Sequence, residues 1–329
     1  MGRMKPYYED DLVRLFHGDA AVVAAGLEAR SVRTIVTSPP YFGLRDYGED
    51  GQIGAEASLG EYVDRLVSLF RGLRDVLTDD GTLWLNLGDS YASSSASGPQ
   101  GRDGMRNGRR FTADKVTAKA GGVAAKNLIG VPWRVAFALQ ADGWVLRSDI
   151  IWAKPNPMPE SVTDRPTKAH EYVFLFAKSP RYYYNADAIR EPHADASISR
   201  RDASRKNASS PGKTAQAPGQ APQGGFSKGL RELNEHGANK RTVWEVSTVP
   251  FPGSHFAVYP PELIRPCILA GSAPGDTVLD PFSGSGTTGM VATQEGRRYI
   301  GIDLNRDYLD LSLRTRFVQP VLDLTGGAA

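Results

Sequence analysis

The stretch Thr34-Ile35-Val36-Thr37-Ser38-Pro39-Pro40-Tyr41 runs from an apolar segment into a hydroxyl, two prolines and an aromatic ring. Proline cannot donate to a sheet ladder, and it biases the residue before it away from helix. A strand through Thr34-Ile35-Val36 therefore ends here, and the chain leaves it as a stiff, extended loop. In open α/β sheets, ligands bind outside the carboxyl ends of strands. Such a loop gathers the Ser38 hydroxyl, the Pro39 C=O and the Tyr41 ring into one small volume. Two acceptors beside a π-face suit a planar group carrying an NH2, such as a nucleobase; an ordinary Pro-rich turn is the competing reading.

A second strand-to-loop transition lies far downstream, at Thr277-Val278-Leu279-Asp280-Pro281-Phe282-Ser283-Gly284-Ser285-Gly286-Thr287-Thr288-Gly289. Here a strand enters a Gly-rich turn and a helix follows through Met290, Val291 and Thr293. Glycines let backbone approach a ligand closely, and a helix N-terminus offers unpaired N–H groups. The spacing matches neither a P-loop, which needs GK[ST], nor a G-x-G-x-x-G dinucleotide fingerprint. The next strand, Arg298-Tyr299-Ile300-Gly301-Ile302-Asp303, ends on an acid placed to accept ribose hydroxyls, as the analogous carboxylate does in dinucleotide folds.

Between and before these motifs the pattern is that of parallel βαβ units. A short strand across residues 12–18 stops at Gly18-Asp19, and an Ala-rich helix spans 20–29. Apolar residues Tyr62, Leu66, Leu69, Phe70, Leu73 and Leu77 keep helical spacing. Asp79-Asp80-Gly81 breaks that helix, and Thr82–Leu87 reads as a buried strand. A helix follows from Trp133 to Ala141. The strand Ser148–Trp152 runs into the Pro-rich loop 154–159, and Tyr172–Ala177 is a further strand with Arg181–Tyr184 as its expected hairpin partner. A helix from Pro260 to Ala270 precedes the second motif.

Two regions lose all apolar period. Residues 92–127 hold Arg102, Arg106, Arg109, Arg110, Lys115, Lys119 and Lys126 against Asp103 and Asp114, which reads as a basic loop able to hold phosphates or simply solvated. Residues 187–242 are rich in Ser, Gly, Pro and Gln, carry Arg200 and Arg201, and are too long for an ordinary loop in a compact domain.

Composition narrows the class. The chain has 329 residues, 40% hydrophobic and 23% charged, with a net charge of +2. It can bury a core, and it is no global polycation, so a nucleic-acid face must come from local clustering. The single cysteine, Cys267, excludes a disulfide framework and a Cys-based metal cluster; its apolar neighbours Ile264 and Ile268 make it a buried small hydrophobe. No apolar run approaches a membrane span, and the polar first residues lack a secretory signal, so a soluble cytoplasmic protein with no membrane partner is expected.

Taken together, the Ser38-Pro39-Pro40-Tyr41 loop, the Phe282-x-Gly284-x-Gly286 turn, the Gly18-Asp19 strand end, Trp152-x-Lys154 and His170-Glu171 resemble the β class of amino-group DNA methyltransferases. The order, catalytic loop first and cofactor loop last, is that of their circularly permuted members. The resemblance covers nearly the whole chain. It implies an α/β, Rossmann-like sheet of seven strands and S-adenosylmethionine as cofactor. It further implies cofactor contacts from Asp19, Thr37, Asp280, Phe282, Ser283, Gly284, Ser285, Gly286, Thr287 and Asp303. Within that set Asp280 would lie near the methionine amino group, Asp19 at the adenine amine and Asp303 at the ribose. The catalytic loop would be Ser38, Pro39, Pro40 and Tyr41, with Tyr41 stacking on a flipped base. Residues 1–186 would form the catalytic part, 187–242 the target-recognition region and 243–329 the cofactor part. Contacts to double-stranded DNA would come from Arg102, Arg106, Arg109, Arg110, Lys154, Arg200 and Arg201; Thr167 and His170 are further candidates for the base pocket.

In that family a Ser at position 38 is commoner among N4-cytosine enzymes, whereas Asp or Asn is commoner among N6-adenine enzymes. The expectation is therefore N4-cytosine methylation, with N6-adenine as the alternative. A methyltransferase of protein glutamine or RNA would typically carry Asn at this position, and a non-catalytic nucleic-acid-binding relic should show erosion of the motifs. A companion restriction endonuclease and a homodimer are compatible with the resemblance.

Overall fold

The computed structural model describes residues 4–43, 49, 51–92, 105–106, 109–110, 123–124, 126–199, 233–249 and 259–317. The chain divides into two compact units, residues 1–185 with 242–329, and residues 186–241.

The first unit is built on one mixed sheet of nine strands. In chain order these are β1 (Tyr8–Glu9), β2 (Val13–His17), β3 (Val32–Thr37), β4 (Leu77–Leu87), β7 (Val145–Ala153), β8 (His170–Ala177), β9 (Val243–Glu245), β10 (Thr277–Asp280) and β11 (Arg298–Asp303). The short pair β5 (Met105–Arg106) and β6 (Arg109–Arg110) forms a separate two-stranded ribbon. Across the main sheet the order is β1-β2-β11-β10-β3-β4-β8-β7-β9. Strands β2, β11, β10, β3 and β4 run parallel, and β8 inserts antiparallel between β4 and β7. The expected seven strands form the body of this sheet; β1 and β9, two and three residues long, extend its edges.

The α-helices of the first unit are α1 (Ala20–Ala25), α2 (Leu59–Val76), α3 (Val131–Ala141), α4 (Pro261–Gly271), α5 (Thr287–Gln294) and α6 (Arg306–Ser312). The longest, α2, shows why each forms where it does. Ser58 caps its N-terminus by accepting from Glu61 N–H, and the Glu61 carboxylate accepts from Ala57 N–H, a variant of the capping box. Its stripe of Leu59, Tyr62, Leu66, Leu69, Phe70, Leu73 and Val76 is buried against the sheet. That stripe joins Ile35, Leu83, Leu85, Phe174 and Phe176 in the main core. Burying a side chain of this size stabilises by about 1.5–3 kcal/mol before entropy is counted.

Two local expectations need correction. The Asp79-Asp80-Gly81 break lies inside β4, because the β3–β4 register slips between Val32 and Thr34 and the ladder resumes at Thr82. Residues 181–184 are no hairpin partner of β8, since β8 already has β4 on one side and β7 on the other. A strand with both edges paired has no donors or acceptors left for a third. Tyr183 instead donates its N–H to Asp80 C=O. Cys267 is fully buried on α4, as its neighbours predict.

In the second unit, Glu191 and Ala238 pair as an isolated antiparallel bridge. Glu191 is ion-paired to Lys240 at 3.3 Å and Arg241 at 3.0 Å. Arg190 donates to Asp187 at 2.5 Å and to Asn239 at 2.8 Å. Arg200 and Arg201 lie outside the described residues.

Candidate active site

The carboxyl ends of β3 and β10 are adjacent because these strands pair in parallel, Thr34 with Val278 and Ile35 with Leu279. That adjacency brings the two motifs together. Beside them opens a cavity of about 380 Å³, within the range of small-molecule sites. Its wall includes Gly18, Asp19, Ser38, Pro40, Glu49, Ile53, Leu69, Phe282, Gly284, Asp303 and Tyr308.

Asp303 projects from the end of β11. Its Oδ2 accepts from Gly284 N–H at 2.7 Å and its Oδ1 from Asn305 N–H at 2.9 Å. Each oxygen keeps a second lone pair for a hydroxyl. Burial raises this carboxyl to about 7, against the lowering pull of those two N–H groups. Asp19 caps α1, its Oδ1 accepting from Ala21 N–H at 2.9 Å and Val22 N–H at 3.1 Å. Among the described residues its Oδ2 meets no donor, which leaves that oxygen for a ligand.

The turn between β10 and α5 works through backbone. Gly284 (φ +51°) and Gly286 (φ +78°) adopt left-handed conformations, which L side chains rarely tolerate. A Cβ on Gly286 would also meet Ser312 Cβ at 2.8 Å. Ser283 and Ser285 turn their hydroxyls inward, to Tyr299 OH at 2.9 Å and to Thr287 Oγ1 at 3.5 Å. Of the residues in this turn, Pro281, Phe282 and Gly284 face the cavity, whereas the side chains of Ser283, Ser285 and Thr287 are buried.

Asp280 and Thr37 need a correction of role. Asp280 is 1% exposed, and its carboxylate is saturated from within. Oδ1 accepts from Thr37 Oγ1 at 2.6 Å and Phe282 N–H at 3.0 Å; Oδ2 accepts from Thr288 Oγ1 at 2.6 Å and Tyr259 OH at 3.0 Å. The Tyr259 and Thr288 hydroxyl oxygens lie in contact with each other as well. Neither Thr37 nor Asp280 lines the cavity. They form a knot that ties β3, β10, the glycine turn and α5 into one shape. Burial raises the Asp280 carboxyl above the usual range while its four donors pull it back.

The catalytic-loop candidates sit on the same edge. Ser38 and Pro40 line the cavity, and Pro39 is buried. Tyr62 OH, reaching up from α2, donates to Pro40 C=O at 2.9 Å. Among the described residues no donor meets the Pro39 C=O. The Tyr41 ring lies against Gly88, where a Cβ would come within 2.5 Å of Cε2. Its hydroxyl donates to Glu171 Oε2 at 2.7 Å and lies 3.3 Å from Asn86 Oδ1. Burial, with the Glu171 charge beside it, pushes the Tyr41 hydroxyl well above its usual range.

Lys154 is not a free phosphate-binding cation. It pairs with Glu171 Oε1 at 2.5 Å, only 18% exposed, with its ammonium 4.2 Å from the Trp152 ring centroid. Sequence reading named the His170-Glu171 strand entry but assigned Glu171 no role; its partners lie on β4, just past β7 and on the β3 loop, and only strand order brings them together. His170 stacks edge-on to Tyr172 in β8. Also missed were Glu49, Ile53 and the α2 residues Ser68 and Leu69, which complete the cavity. Arg65 secures that side by donating to Gln52 C=O at 3.2 Å and to Gly51 C=O.

Of the basic loop, Arg106 and Arg109 pair across the β5–β6 ribbon, with Arg110 opposite Met105. Arg102 lies outside the described residues, as do Lys115 and Lys119. Lys126 pairs with Asp164 at 2.8 Å.

The cavity wall bears three carboxylates, Asp19, Glu49 and Asp303, and its one guanidinium, Arg65, is already engaged. Such a wall repels phosphates and suits a cationic ligand with hydroxyls and an exocyclic amine.

The comparisons agree with this geometry. Residues 32–314 match the N6/N4 family model described as DNA methylase. The type II methyltransferase M.Cfr9I of Citrobacter freundii is 49% identical over 91% of this chain and 86% of its own. M.SmaI of Serratia marcescens, another type II methyltransferase, is 46% identical over 91% and 89%. Among solved structures, the PvuII cytosine-N4-specific DNA methyltransferase superposes with a TM-score of 0.63 at 20% identity, covering 97% of this chain and 90% of that one. A putative DNA modification methylase of Thermus thermophilus, complexed with S-adenosylmethionine, gives 0.52 at 22% identity over 91% and 92%.

Proposed function

The chain belongs to the N6/N4 DNA methylase family of S-adenosylmethionine-dependent enzymes, and we propose that its own reaction is methylation of the exocyclic N4 of cytosine in double-stranded DNA. The observation that carries this reading is Ser38 at the cavity edge, beside a Pro39 C=O that meets no donor among the described residues, on a loop clamped from α2 through Pro40. In the resembled family a Ser at this position goes with cytosine more often than with adenine.

Asp303 would hold the ribose hydroxyls, Asp19 Oδ2 the adenine amine, and Phe282 with Gly284 the sugar and methionine part. When bound, S-adenosylmethionine supplies a methyl on a sulfonium whose thioether leaves as a neutral group. The chain's own work lies on the acceptor. An exocyclic base amine is a poor nucleophile because its lone pair is delocalised into the ring. Ser38 Oγ and the Pro39 C=O, accepting its two hydrogens, would draw the nitrogen toward tetrahedral geometry and localise that pair. A base inside a duplex is out of reach, so it must swing out of the stack before it meets this loop. The rest is proximity and orientation, supplied by a loop that Tyr62 and the Thr37–Asp280 knot hold still.

Type II relatives favour a restriction–modification role, with a cognate endonuclease as functional partner; residues 187–242 would be the target-recognition region. Single-molecule sequencing of DNA from cells expressing the chain reports base, modification and site together. N4-methylcytosine at one recurrent sequence is expected; N6-methyladenine instead would overturn the cytosine assignment.

A further inference from the structure

Glu171 is the polar group in this region that the reaction above leaves without a task. It is the second residue of β8, its side chain 16% exposed, and it gathers three donors. Lys154 Nζ reaches Oε1 at 2.5 Å, while Tyr41 OH and Asn86 Nδ2 reach Oε2 at 2.7 and 3.3 Å. The frame around the carboxylate belongs to the sheet. Asn86 sits on β4 and also donates to Tyr172 C=O at 3.0 Å, and β8 is paired with β4 on one side and β7 on the other. Lys154 directly follows β7, its ammonium 4.2 Å from the Trp152 ring centroid. Of the three donors only Tyr41 comes from the catalytic loop. Burying a carboxylate is costly unless its lone pairs are filled, and here a phenol from that loop fills one. Stacking on a base needs only the ring, which a phenylalanine also has; the hydroxyl adds an anchor. A hydrogen bond to a carboxylate is shorter and stronger than one between neutral groups. A ring pinned at Cβ by its backbone and at its oxygen by Glu171 keeps one freedom, a spin about the axis joining them. Gly88 limits that spin: a Cβ there would fall 2.5 Å from Tyr41 Cε2 and 3.2 Å from Cδ2 and Cζ.

We propose that Glu171 is a positioning residue for capture of the target base: through the Tyr41 hydroxyl it fixes the plane of the ring on which the flipped base stacks. This rests on the reading of Tyr41 as the stacking ring, but not on which base is modified. A flipped base has left two stacking neighbours and its pairing partner, and the pocket must repay that cost. A ring already held in its stacking orientation loses no further freedom when the base arrives, whereas a swinging ring would have to be ordered at that moment. Glu171 can hold it because its own place is set by paired strands, and a group fixed on a strand positions more sharply than one on a loop. Lys154 has a matching part. It offsets the carboxylate's charge, so the anchor is not a lone negative group beside the phosphates of an incoming duplex. The ion pair that removes Lys154 from the phosphate-binding residues thus serves the base pocket.

The test uses the full-length protein and a duplex carrying the site found by sequencing, with Glu171→Gln, Tyr41→Phe, their double variant and Tyr41→Ala. Glu171→Gln makes Lys154 and Tyr41 compete for one acceptor; Tyr41→Phe removes the same bond from the other end and leaves the ion pair whole. Three quantities are read: single-turnover methyl transfer, cofactor Kd, and the fluorescence of 2-aminopurine placed beside the target base, which reports flipping. Each single variant should lose about tenfold in transfer rate, the worth of one hydrogen bond to a charged group, with a parallel loss of flipping. The double variant should be no slower than the worse single one, since both remove one interaction. Cofactor Kd should stay within about twofold of the parent, because the anchor acts on the base alone. On a duplex whose target base is mismatched, and so flips at little cost, the losses should shrink to about twofold. Tyr41→Phe with the parent's rate and flipping would overturn the proposal, as would additive losses in the double variant or a deficit undiminished on the mismatched duplex. A cofactor affinity that falls as far as the rate would make Glu171 a brace of the whole loop and overturn it too. Tyr41→Ala separates the two levels. Full flipping in that variant would overturn the stacking reading and the proposal with it, whereas lost flipping there beside an unchanged Tyr41→Phe would overturn the proposal alone.

Discussion

Thr37 Oγ1 donates a 2.6 Å hydrogen bond to Asp280 Oδ1, joining residues 243 positions apart. Thr37 is the last residue of the strand that enters the catalytic loop, and Asp280 the last of the strand that enters the cofactor turn. The bond therefore sets the spacing of the two loops directly, at a point closed to water.

That closure makes the pair sensitive. Thr37→Val keeps the shape but removes a donor from a buried carboxylate, which costs about 1–3 kcal/mol. Thermal or urea unfolding should show that loss, and Thr37→Ser should recover most of it. A Thr37→Val protein as stable as its parent would show that the knot is slack.

Asp303 gives cofactor binding a pH dependence. In the free protein its carboxyl is raised to about 7 by burial. Ribose hydroxyls donate to the ionised form, so binding lowers the pKa and the ligand prefers the deprotonated protein. Affinity should rise with pH up to about 7 and then level off. One unit below that value it should be about tenfold weaker. Calorimetry from pH 5.5 to 8.5 reads the curve directly, and Asp303→Asn should flatten it while weakening binding throughout. The same raised pKa means that the ligand-free fold loses a contribution to stability as pH climbs through about 7.

Ser38→Ala separates chemistry from binding. It removes one amine acceptor, so transfer should fall by about 10²-fold or more. Cofactor Kd, measured by the same calorimetry, should be nearly unchanged. A parallel loss of cofactor affinity would place Ser38 in the wrong part of the site.

Gly289 lies where α5 packs on β11: a Cβ would come within 2.5 Å of Tyr299 Cδ1 and Cε1. Gly289→Ala should destabilise by about 1–3 kcal/mol through overpacking and weaken cofactor binding by tilting the helix behind the glycine turn. Denaturant midpoints and cofactor Kd check both parts.

If Arg109 and Arg110 contact phosphates, replacing both by Ala should weaken DNA binding at every sequence. The slope of log K against log salt should then shrink by about two. A binding titration at several salt concentrations decides this, and an unchanged slope would return the ribbon to a merely solvated role.

Much of this protein is readable without coordinates. Prolines 39 and 40 end a strand wherever it lies. Glycines 284 and 286 signal a tight turn before a helix, and the α2 stripe announces its buried face. These are local rules, enforced by backbone sterics and apolar periodicity within a few residues, so the chain itself determines the two loops and the acid at the end of β11. What local pattern does not carry is which strands become neighbours. The order β10-β3-β4-β8 turned Asp280 and Thr37 from cofactor contacts into a buried clasp. It also took Lys154 from DNA to an ion pair, and it set Glu171 against Tyr41, 130 residues away. A polar side chain's role depends on which donors and acceptors reach it once water is excluded, and only the tertiary structure decides that.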